Sequence, residues 1–264
     1  MPADFNSNPQ STEPAQRLHL LYHEIRTSES DYSYVTDVAT FEQHLNLYKR
    51  LRASGSVWPE LTFDDGHISN LELAAPLLQA HAMKALFFIT VGWTGTKRDY
   101  MNWEELRALH ALGQPIGAHG WSHTLLTHCS DAELQNELGR ARLTLEDKLG
   151  SSITAMSLPG GRANARVLAA CKAAGYEHVY TSEPKVEMPP YSFTIGRLNI
   201  LGSMQIDWLA RLFEPHSTLL ASLQRKHRLK ATAKNLLGDR LYEKLWARLN
   251  RSELDPAEER EATK

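Results

Sequence analysis

Acidic and histidine side chains follow short apolar runs at several points in this chain of 264 residues. Asp64 and Asp65 come directly after the run 61–63, and His119 and His123 follow another run farther along the chain. The four-residue spacing of the histidines predicts that both imidazoles lie on one face of a helical turn. A catalytic zinc site has three nitrogen or oxygen ligands from the protein and one open position. Asp65, His119 and His123 are therefore predicted to bind a divalent metal ion, with Zn²⁺ expected.

Three further functions of a hydrolytic site can be assigned to residues at predicted strand ends. A metal ion lowers the pKa of a bound water from 15.7 towards about 7 and polarises a carbonyl group, as amide hydrolysis requires. Asp64 is the candidate base, provided that the turn after it rotates both carboxylates inward, because neighbouring strand residues point to opposite faces. His23 is the candidate acid for the amine leaving group. A backbone N–H of Gly160 or Gly161 is the candidate oxyanion donor, since glycine permits close backbone approach.

Each of these features has a simpler structural interpretation when it is taken alone. An Asp-Asp-Gly sequence commonly forms a turn, a histidine pair can be solvated, and a histidine at a strand end can be half-buried packing. His128 is an alternative metal ligand, but it lies beyond the segment 119–123 and is expected to be solvated or to contact a ligand. The occurrence of all these residues at predicted strand ends favours the metal site.

Strands and helices alternate along the chain in a way that would position these residues. Strands are predicted at 17–25, 57–63, 85–91, 115–118, 153–158, 178–181 and 193–200, and helices at 41–51, 71–81, 102–112, 131–149 and 165–174. This alternation predicts parallel βαβ units closed into a barrel that spans residues 17–204. In such barrels the active site lies at the carboxyl ends of the strands, where the candidate residues occur.

The composition of the chain excludes few classes of function. A net charge of −2 and a charged fraction of 23% are typical of neither a nucleic-acid-binding nor a disordered protein. Cys129 and Cys171 have no second cysteine at metal-site spacing and are predicted to be ordinary thiols. Residues 1–16 read as a flexible polar tail without the features of a secretory signal, and no apolar run reaches the roughly 20 residues of a membrane span. The cytoplasm is the expected location.

The character of the sequence changes after the predicted barrel. Residues 205–264 are predicted to form a helical extension without further strands, and within 225–251 basic residues and leucines recur at helical spacing. The simpler interpretation is a helix that packs on the barrel and exposes a basic face. The alternative is attachment to an anionic membrane surface or to partner proteins.

The two motifs around the candidate metal ligands resemble those of the polysaccharide deacetylases, the NodB homology domain of the fourth carbohydrate esterase family. The sequence Thr-Phe-Asp-Asp-Gly at 62–66 matches the first motif of that family, and His-Gly-Trp-Ser-His at 119–123 is similar to its second. The resemblance implies a distorted (β/α) barrel of about seven parallel strands and a zinc-like divalent ion. It also implies removal of N-acetyl groups from an amino sugar or polysaccharide, with Asp64 as base and Asp65 as metal ligand.

Other family motifs are altered in this chain. Ser157 stands where the third motif usually has an arginine that orients the catalytic aspartate, and Arg162 or Arg197 is the candidate substitute. The fourth motif has no match, and the late Leu-x-His of the fifth is absent. Circularly permuted members, among them biofilm poly-N-acetylglucosamine deacetylases, carry that histidine on the first strand, and Leu-Tyr-His at 21–23 is similar to their pattern. The alternatives to a sugar deacetylase are a carbohydrate-binding pseudoenzyme and a hydrolase of non-sugar amides.

Overall fold

Parallel strands form the centre of the computed structural model, which describes residues 16–28, 30, 32–54, 57–214 and 217–237. The strands are β1 (Gln16–Tyr22), β2 (Glu24–Arg26), β3 (Val35–Asp37), β4 (Val57–Phe63), β5 (Ala85–Ile89), β6 (Ile116–Ala118), β7 (Ala155–Ser157), β8 (His178–Tyr180), β9 (Val186–Glu187), β10 (Thr194–Ile195) and β11 (Arg197–Asn199). The helices are α1 (Val38–Ser54), α2 (Ala75–Ala80), α3 (Trp103–Ala111), α4 (Asp131–Gln135), α5 (Ala141–Leu149), α6 (Ala165–Ala173), α7 (Ile206–Leu212) and α8 (Thr218–Leu237).

The main sheet has the strand order β10-β8-β7-β6-β5-β4-β1-β11, and all pairings along this path are parallel. The strands at its two ends, β10 and β11, are separated in the chain by Gly196 alone. They act as two halves of one strand, so seven strand positions form a nearly closed barrel. The predicted distorted barrel of about seven parallel strands, followed by helices, is confirmed.

The break at Gly196 explains why the predicted strand 193–200 is divided. A Cβ atom at this position would lie 2.3 Å from the carbonyl oxygen of Glu183, so only glycine fits. The Gly196 N–H donates to Glu187 Oε1 at 2.9 Å. Glu187 belongs to β9, which pairs with β1 in antiparallel orientation. The carboxylate thus binds the strand break at the point where the barrel closes.

Two of the predicted helices contain a π-helical turn that the sequence pattern did not reveal. The helix predicted at 131–149 consists of α4, a π-helical turn at Asn136–Arg140 and α5. The helix predicted at 71–81 begins with a π-helical turn at Asn70–Ala74 and continues as α2. Apolar residues keep helical spacing through the π turn at Leu134, Leu138, Ala141 and Leu145, so periodicity does not distinguish the turn from the α-helix around it.

Apolar side chains fill the space between the barrel strands and the surrounding helices, and a smaller cluster of Phe88, Tyr180 and Ile195 is separate from this core. Leu219, Leu220 and Leu223 of α8 pack against the large core, whereas Leu229 is 66% exposed. None of the helices in the described ranges is long and apolar enough to cross a bilayer. The predicted tail, apart from Gln16, and residues 238–251 of the predicted basic segment lie outside the described residues.

A buried histidine on β1 gives the fold a defined dependence on pH. His19 is 3% exposed, and its ring contacts Tyr180 and Tyr191 edge-on at centroid distances of 5.6 and 5.4 Å. Burial, reinforced by the positive charges of Arg197 and Arg17, lowers the pKa of His19 from 6.5 to about 3. The folded state therefore keeps His19 neutral at pH values where the unfolded chain binds a proton.

We expect the free energy of unfolding to fall as the pH decreases from 6.5 towards 3, because only the unfolded state gains this proton. The contribution of His19 is about 1.4 kcal/mol per pH unit at most. Urea unfolding in the presence of chelator, at several pH values from about 8 to about 4.5, gives the free energy of unfolding of the wild-type protein and of His19→Gln, and hence the difference between the two proteins at each pH. The difference should be constant above pH 6.5 and shrink below it, and parallel curves over the whole range would contradict this assignment.

Candidate metal and hydrolytic site

A left-handed turn after β4 brings Asp64 and Asp65 to the same side of the chain. Asp65 has φ 75° and Gly66 has φ 85°, and Asp65 is one of the few residues other than glycine with positive φ. Such a conformation costs of order 1–3 kcal/mol and persists only where the surrounding structure holds it. The result is that both carboxylates approach one imidazole, with His119 Nε2 lying 3.7 Å from Asp64 Oδ2 and 3.3 Å from Asp65 Oδ1.

The predicted helical turn at 119–123 is wrong, since these residues form a loop after β6. Gly120 has φ 78° and His123 has φ 65°, so neither continues a right-handed helix. The loop nevertheless directs both rings to Asp65, whose Oδ1 lies 3.3 Å from His119 Nε2 and 3.3 Å from His123 Nε2. The histidines converge through two left-handed residues and not through the four-residue helical repeat.

Asp65, His119 and His123 fit the requirements of a divalent metal site. One potential ligand atom from each residue lies within 4.8 Å of the others, and Asp65 Oδ1 is buried without a hydrogen-bond partner among the described residues. The Nδ1–H of His119 donates to the carbonyl oxygen of Ser157 at 2.9 Å, which orients its Nε2 towards Asp65. Burial alone would raise the pKa of Asp65, but His123 and His119 hold it well below its usual range. A set of two imidazoles and one carboxylate suits zinc.

Asp64 does not share in this set but is bound by an arginine from β11, the end strand of the sheet, which lies two strands from β4. Arg197 Nη1 donates to Asp64 Oδ1 at 2.7 Å and Arg197 Nη2 to Asp64 Oδ2 at 2.9 Å. The Ser157 hydroxyl donates to Asp64 Oδ2 at 2.8 Å and accepts from Arg197 Nη2 at 2.6 Å. Bidentate contacts of this kind fix both the position and the plane of a carboxylate.

The guanidinium of Arg197 is fully buried, and each of its five N–H groups has an acceptor. Besides Asp64 and Ser157, these acceptors are Thr62 Oγ1 at 3.2 Å and the carbonyl oxygen of Thr181 at 3.3 Å. Of the two arginines considered from the sequence, Arg197 therefore contacts the candidate base. Arg162 is half-buried in the loop after the Pro159–Gly161 turn.

Charge and hydrogen bonding keep Asp64 ionised. Burial would raise the pKa of this carboxyl, but Arg197 and His119 lower it below its ordinary value. Two carboxylate oxygens have about four acceptor sites, and the three hydrogen bonds from Arg197 and Ser157 occupy three of them. One acceptor site on Oδ1 is therefore not occupied by these three hydrogen bonds.

His23 directly follows the last residue of β1, the strand that pairs with β4. Asn70 Nδ2 donates to the carbonyl oxygen of His23 at 2.8 Å, and Ser69 Oγ accepts the N–H of Ile25 at 3.1 Å. Burial lowers the pKa of His23 below 6.5, and the charges of Asp65 and Asp64 act in the opposite direction. Its Nδ1 is buried without a hydrogen-bond partner in the described part of the chain. His23 thus lies within electrostatic reach of both acidic residues.

The glycine turn after β7 differs between its two glycines. Gly160 and Gly161 both have positive φ, at 64° and 65°. The N–H of Gly161 donates to the carbonyl oxygen of Leu158 at 2.7 Å, so this donor is already in use. Gly160 is exposed, and its N–H stays the predicted oxyanion donor. His128, the alternative ligand, is exposed on a 3₁₀ turn and lies outside the group of three.

Three residues of this site have functions that sequence reasoning did not assign. Ser157 was noted only as a departure from a motif, yet it connects Arg197, Asp64 and, through its carbonyl, His119. Ser69 and Asn70 follow the acidic pair by four and five residues, and they attach this segment to the backbone around His23. The only available signal was the run of polar residues after Gly66.

Comparison with known proteins agrees with the geometry. Residues 53–179 match the family model described as polysaccharide deacetylase. The peptidoglycan-N-acetylglucosamine deacetylase PgdA of Listeria monocytogenes is 32% identical over 108 residues, which are 40% of this chain and 22% of PgdA. The chain spans less than half the length of the curated relatives it matches.

Solved structures share the fold. The deacetylase PplD of Streptococcus pyogenes, in complex with acetate, has a TM-score of 0.68 and 21% identity, covering 76% of this chain and 100% of PplD. IcaB from Ammonifex degensii has a TM-score of 0.63 and 21% identity, covering 80% of this chain and 98% of IcaB. At these identities the similarity concerns the barrel itself.

Proposed function

We propose that this chain, which belongs to the polysaccharide deacetylase family, removes N-acetyl groups from an amino-sugar polymer by metal-dependent hydrolysis. The observation that carries the proposal is the juxtaposition of two different carboxylates. Asp65 Oδ1 is buried at 3.3 Å from the Nε2 atoms of two imidazoles, so that one ion could contact all three atoms. The neighbouring Asp64 is instead held by hydrogen bonds from Arg197 and Ser157. A structural ion pair would require only one of these arrangements.

Asp65, His119 and His123 would hold the metal ion, which supplies a water of lowered pKa and polarises the acetyl carbonyl when bound. The carbonyl of Ser157 keeps the Nδ1 of His119 protonated, so that the Nε2 lone pair faces the other two ligands. Zn²⁺ is the expected ion because the ligand set contains two imidazoles and one carboxylate.

Asp64 is the proposed general base. Its lowered pKa keeps it ionised at neutral pH, and the remaining acceptor site on Oδ1 can take the proton of the attacking water. Arg197 prevents the carboxylate from rotating, so this acceptor site keeps one direction throughout the reaction. A base of low pKa is weak, but a weak base would suffice for a water whose pKa is lowered by a metal ion held at Asp65, His119 and His123.

His23 is the proposed general acid for the amine leaving group. Burial lowers its pKa, which makes the protonated ring a stronger acid, and the carboxylates of Asp64 and Asp65 favour the protonated form. Asn70 fixes the backbone on which the ring is carried. The N–H of Gly160 is the proposed donor to the oxyanion, and Arg162 in the next turn is a proposed contact of the sugar.

The names of the relatives suggest the class of substrate. PgdA is named as acting on N-acetylglucosamine in peptidoglycan, and another curated relative is named as a chitin deacetylase from Cryptococcus neoformans. We infer that the substrate of this chain is also a polymer or precursor that contains N-acetylated amino sugars.

Purified protein is expected to release acetate from chitooligosaccharides or from other N-acetylated glycans, to lose this activity on chelation and to regain it with Zn²⁺. In parallel, His123→Ala should weaken Zn²⁺ binding by more than about tenfold, whereas His128→Ala should leave it unchanged. Glycan binding without acetate release would favour the pseudoenzyme. Release only from small amides that contain no sugar would favour the second alternative.

A further inference from the structure

The residues between the two histidines, 120–122, belong to no helix or strand, and two of their carbonyl groups are bound by the segment after β5. The N–H of Val91 donates to the carbonyl oxygen of Gly120 at 3.1 Å, and the N–H of Gly92 donates to that of Trp121 at 2.8 Å. A Cβ atom at Gly92 would lie 2.5 Å from the Trp121 carbonyl oxygen. The segment after β5 therefore approaches the loop as closely as backbone permits.

Two N–H groups of the same loop are bound by a single carboxylate from another element. Glu137 Oε2 accepts the N–H of Trp121 at 2.8 Å and the N–H of Ser122 at 2.9 Å. Its Oε1 accepts the hydroxyl of Ser122 at 2.6 Å. Glu137 is 5% exposed, which is unusual for a glutamate, and these three hydrogen bonds compensate for its burial.

Glu137 lies in the π-helical turn at Asn136–Arg140, and a second residue of this turn also contacts the loop. The guanidinium of Arg140 lies 3.4 Å from the centroid of a Trp121 ring. Gly120 lies so close to Glu137 that a Cβ there would be 3.1 Å from Oε2. Single π turns within α-helices occur frequently at functional sites. Here the turn presents two side chains to the loop that carries both histidines.

The loop has reason to need such a partner. Gly120 and His123 are both in the left-handed region, and His123 pays a conformational cost there because it has a Cβ. External hydrogen bonds to residues 120–122 oppose any relaxation of the loop that would change the separation of the two Nε2 atoms. Contacts that fix the separation of histidine ligands before the metal binds raise the affinity of the site.

We propose that Glu137 is a positioning residue that holds the loop between His119 and His123 in the conformation required for metal binding. This inference rests on the proposed metal site. It does not depend on the substrate or on turnover, because its consequence is a change in metal affinity.

The test is titration of Zn²⁺ against a chromophoric chelator for the wild-type protein and two variants. Glu137→Leu removes all three acceptor contacts and should weaken Zn²⁺ binding by about 10- to 100-fold. Glu137→Gln keeps a carbonyl oxygen for the two N–H groups and an amide for the Ser122 hydroxyl oxygen, so its affinity should stay within about threefold of the wild type. An equal loss in both variants, or no loss in Glu137→Leu, would overturn the proposal.

Glu146 on α5 provides a matched control for a general loss of stability. Its Oε1 accepts the N–H of Ile153 at 3.0 Å and pairs with Arg142 at 3.1 Å, so it too joins a helix to a loop. Glu146→Leu should lower the melting temperature without changing Zn²⁺ affinity. A loss of affinity equal to that of Glu137→Leu would show that positioning by Glu137 is not specific.

If Glu137→Leu does not fold, Ser122→Ala tests the same contact at an exposed position. It removes one of the three hydrogen bonds and should weaken Zn²⁺ binding by about two- to fivefold. An unchanged affinity in this variant would contradict the proposal. A wild-type protein that binds Zn²⁺ but releases no acetate would refute the proposed function and leave this inference standing.

Discussion

An Asp64→Asn variant is expected to release acetate about 10²- to 10⁴-fold more slowly than the wild-type protein, the range for loss of a positioned acid or base. Its Zn²⁺ content should be unchanged, because Asp65, His119 and His123 are intact. Rates of acetate release at saturating and limiting substrate, together with the metal content of the purified variant, give both quantities. A loss of metal equal to the loss of activity would contradict the division of roles between the two carboxylates.

The expected loss has a geometric cause. The amide oxygen of asparagine can accept one N–H of Arg197, but its NH₂ group cannot accept the second, and it has no basic oxygen at neutral pH. One acceptor site of Asp64 is left open by its three hydrogen bonds, and in the variant that site cannot hold a proton. The effect should therefore be on turnover more than on substrate affinity.

A control is needed because Asp64→Asn also leaves Arg197 buried without its counter-charge. The double variant Asp64→Asn/Arg197→Met removes the charge as well, and its melting temperature should be closer to that of the wild type. Acetate release should not recover with it. Recovery of activity together with stability would mean that Asp64 acts through the fold and not as a base.

The proximity of the three potential metal ligands could be predicted from the sequence because it depends on local pattern. Asp65, His119 and His123 follow apolar runs that became β4 and β6, and the carboxyl ends of neighbouring parallel strands meet at one rim. The conformation within each loop could not be predicted. Positive φ at Asp65 and His123 is held by contacts with other segments, and although aspartate and histidine adopt it more often than most residues, it is too rare in either to be predicted from residue type.

The arginine that binds Asp64 shows a second limit. Arg197 is 133 residues away in the chain, and it reaches Asp64 because β11 pairs with β1, which pairs with β4. The sequence restricted the choice to Arg162 and Arg197 but contained no register information to decide between them. The arginine is thus supplied from the strand that closes the barrel, and Ser157 occupies the position on β7 with a side chain short enough to leave room for it.

Replacing Arg197 with methionine is expected to destabilise the fold by about 3–5 kcal/mol, the usual result of removing one partner of a buried ion pair. Asp64 is 2% exposed and would retain its charge with only Ser157 and the more distant His119 nearby. Urea unfolding of Arg197→Met in the presence of chelator measures the loss. Arg197→Lys keeps the charge but not the bidentate contact, so its free energy of unfolding should lie between those of Arg197→Met and the wild type.

The same variant should change how activity depends on pH. Arg197 lowers the pKa of Asp64, so without it burial prevails and the pKa rises above its ordinary value. A base must be deprotonated to act, and the acid limb of the kcat/KM profile should therefore move to higher pH in Arg197→Met. The contribution of Asp64 to the pH dependence of folding stability should also have opposite signs in the wild type and in Arg197→Met. The ionised Asp64 stabilises the wild type above the pKa of the unfolded chain, and this contribution is lost as pH falls through the lower folded value. In the variant, stability is instead lost as pH rises through the raised pKa. An acid limb at the wild-type position would exclude Arg197 as the partner that keeps Asp64 ionised.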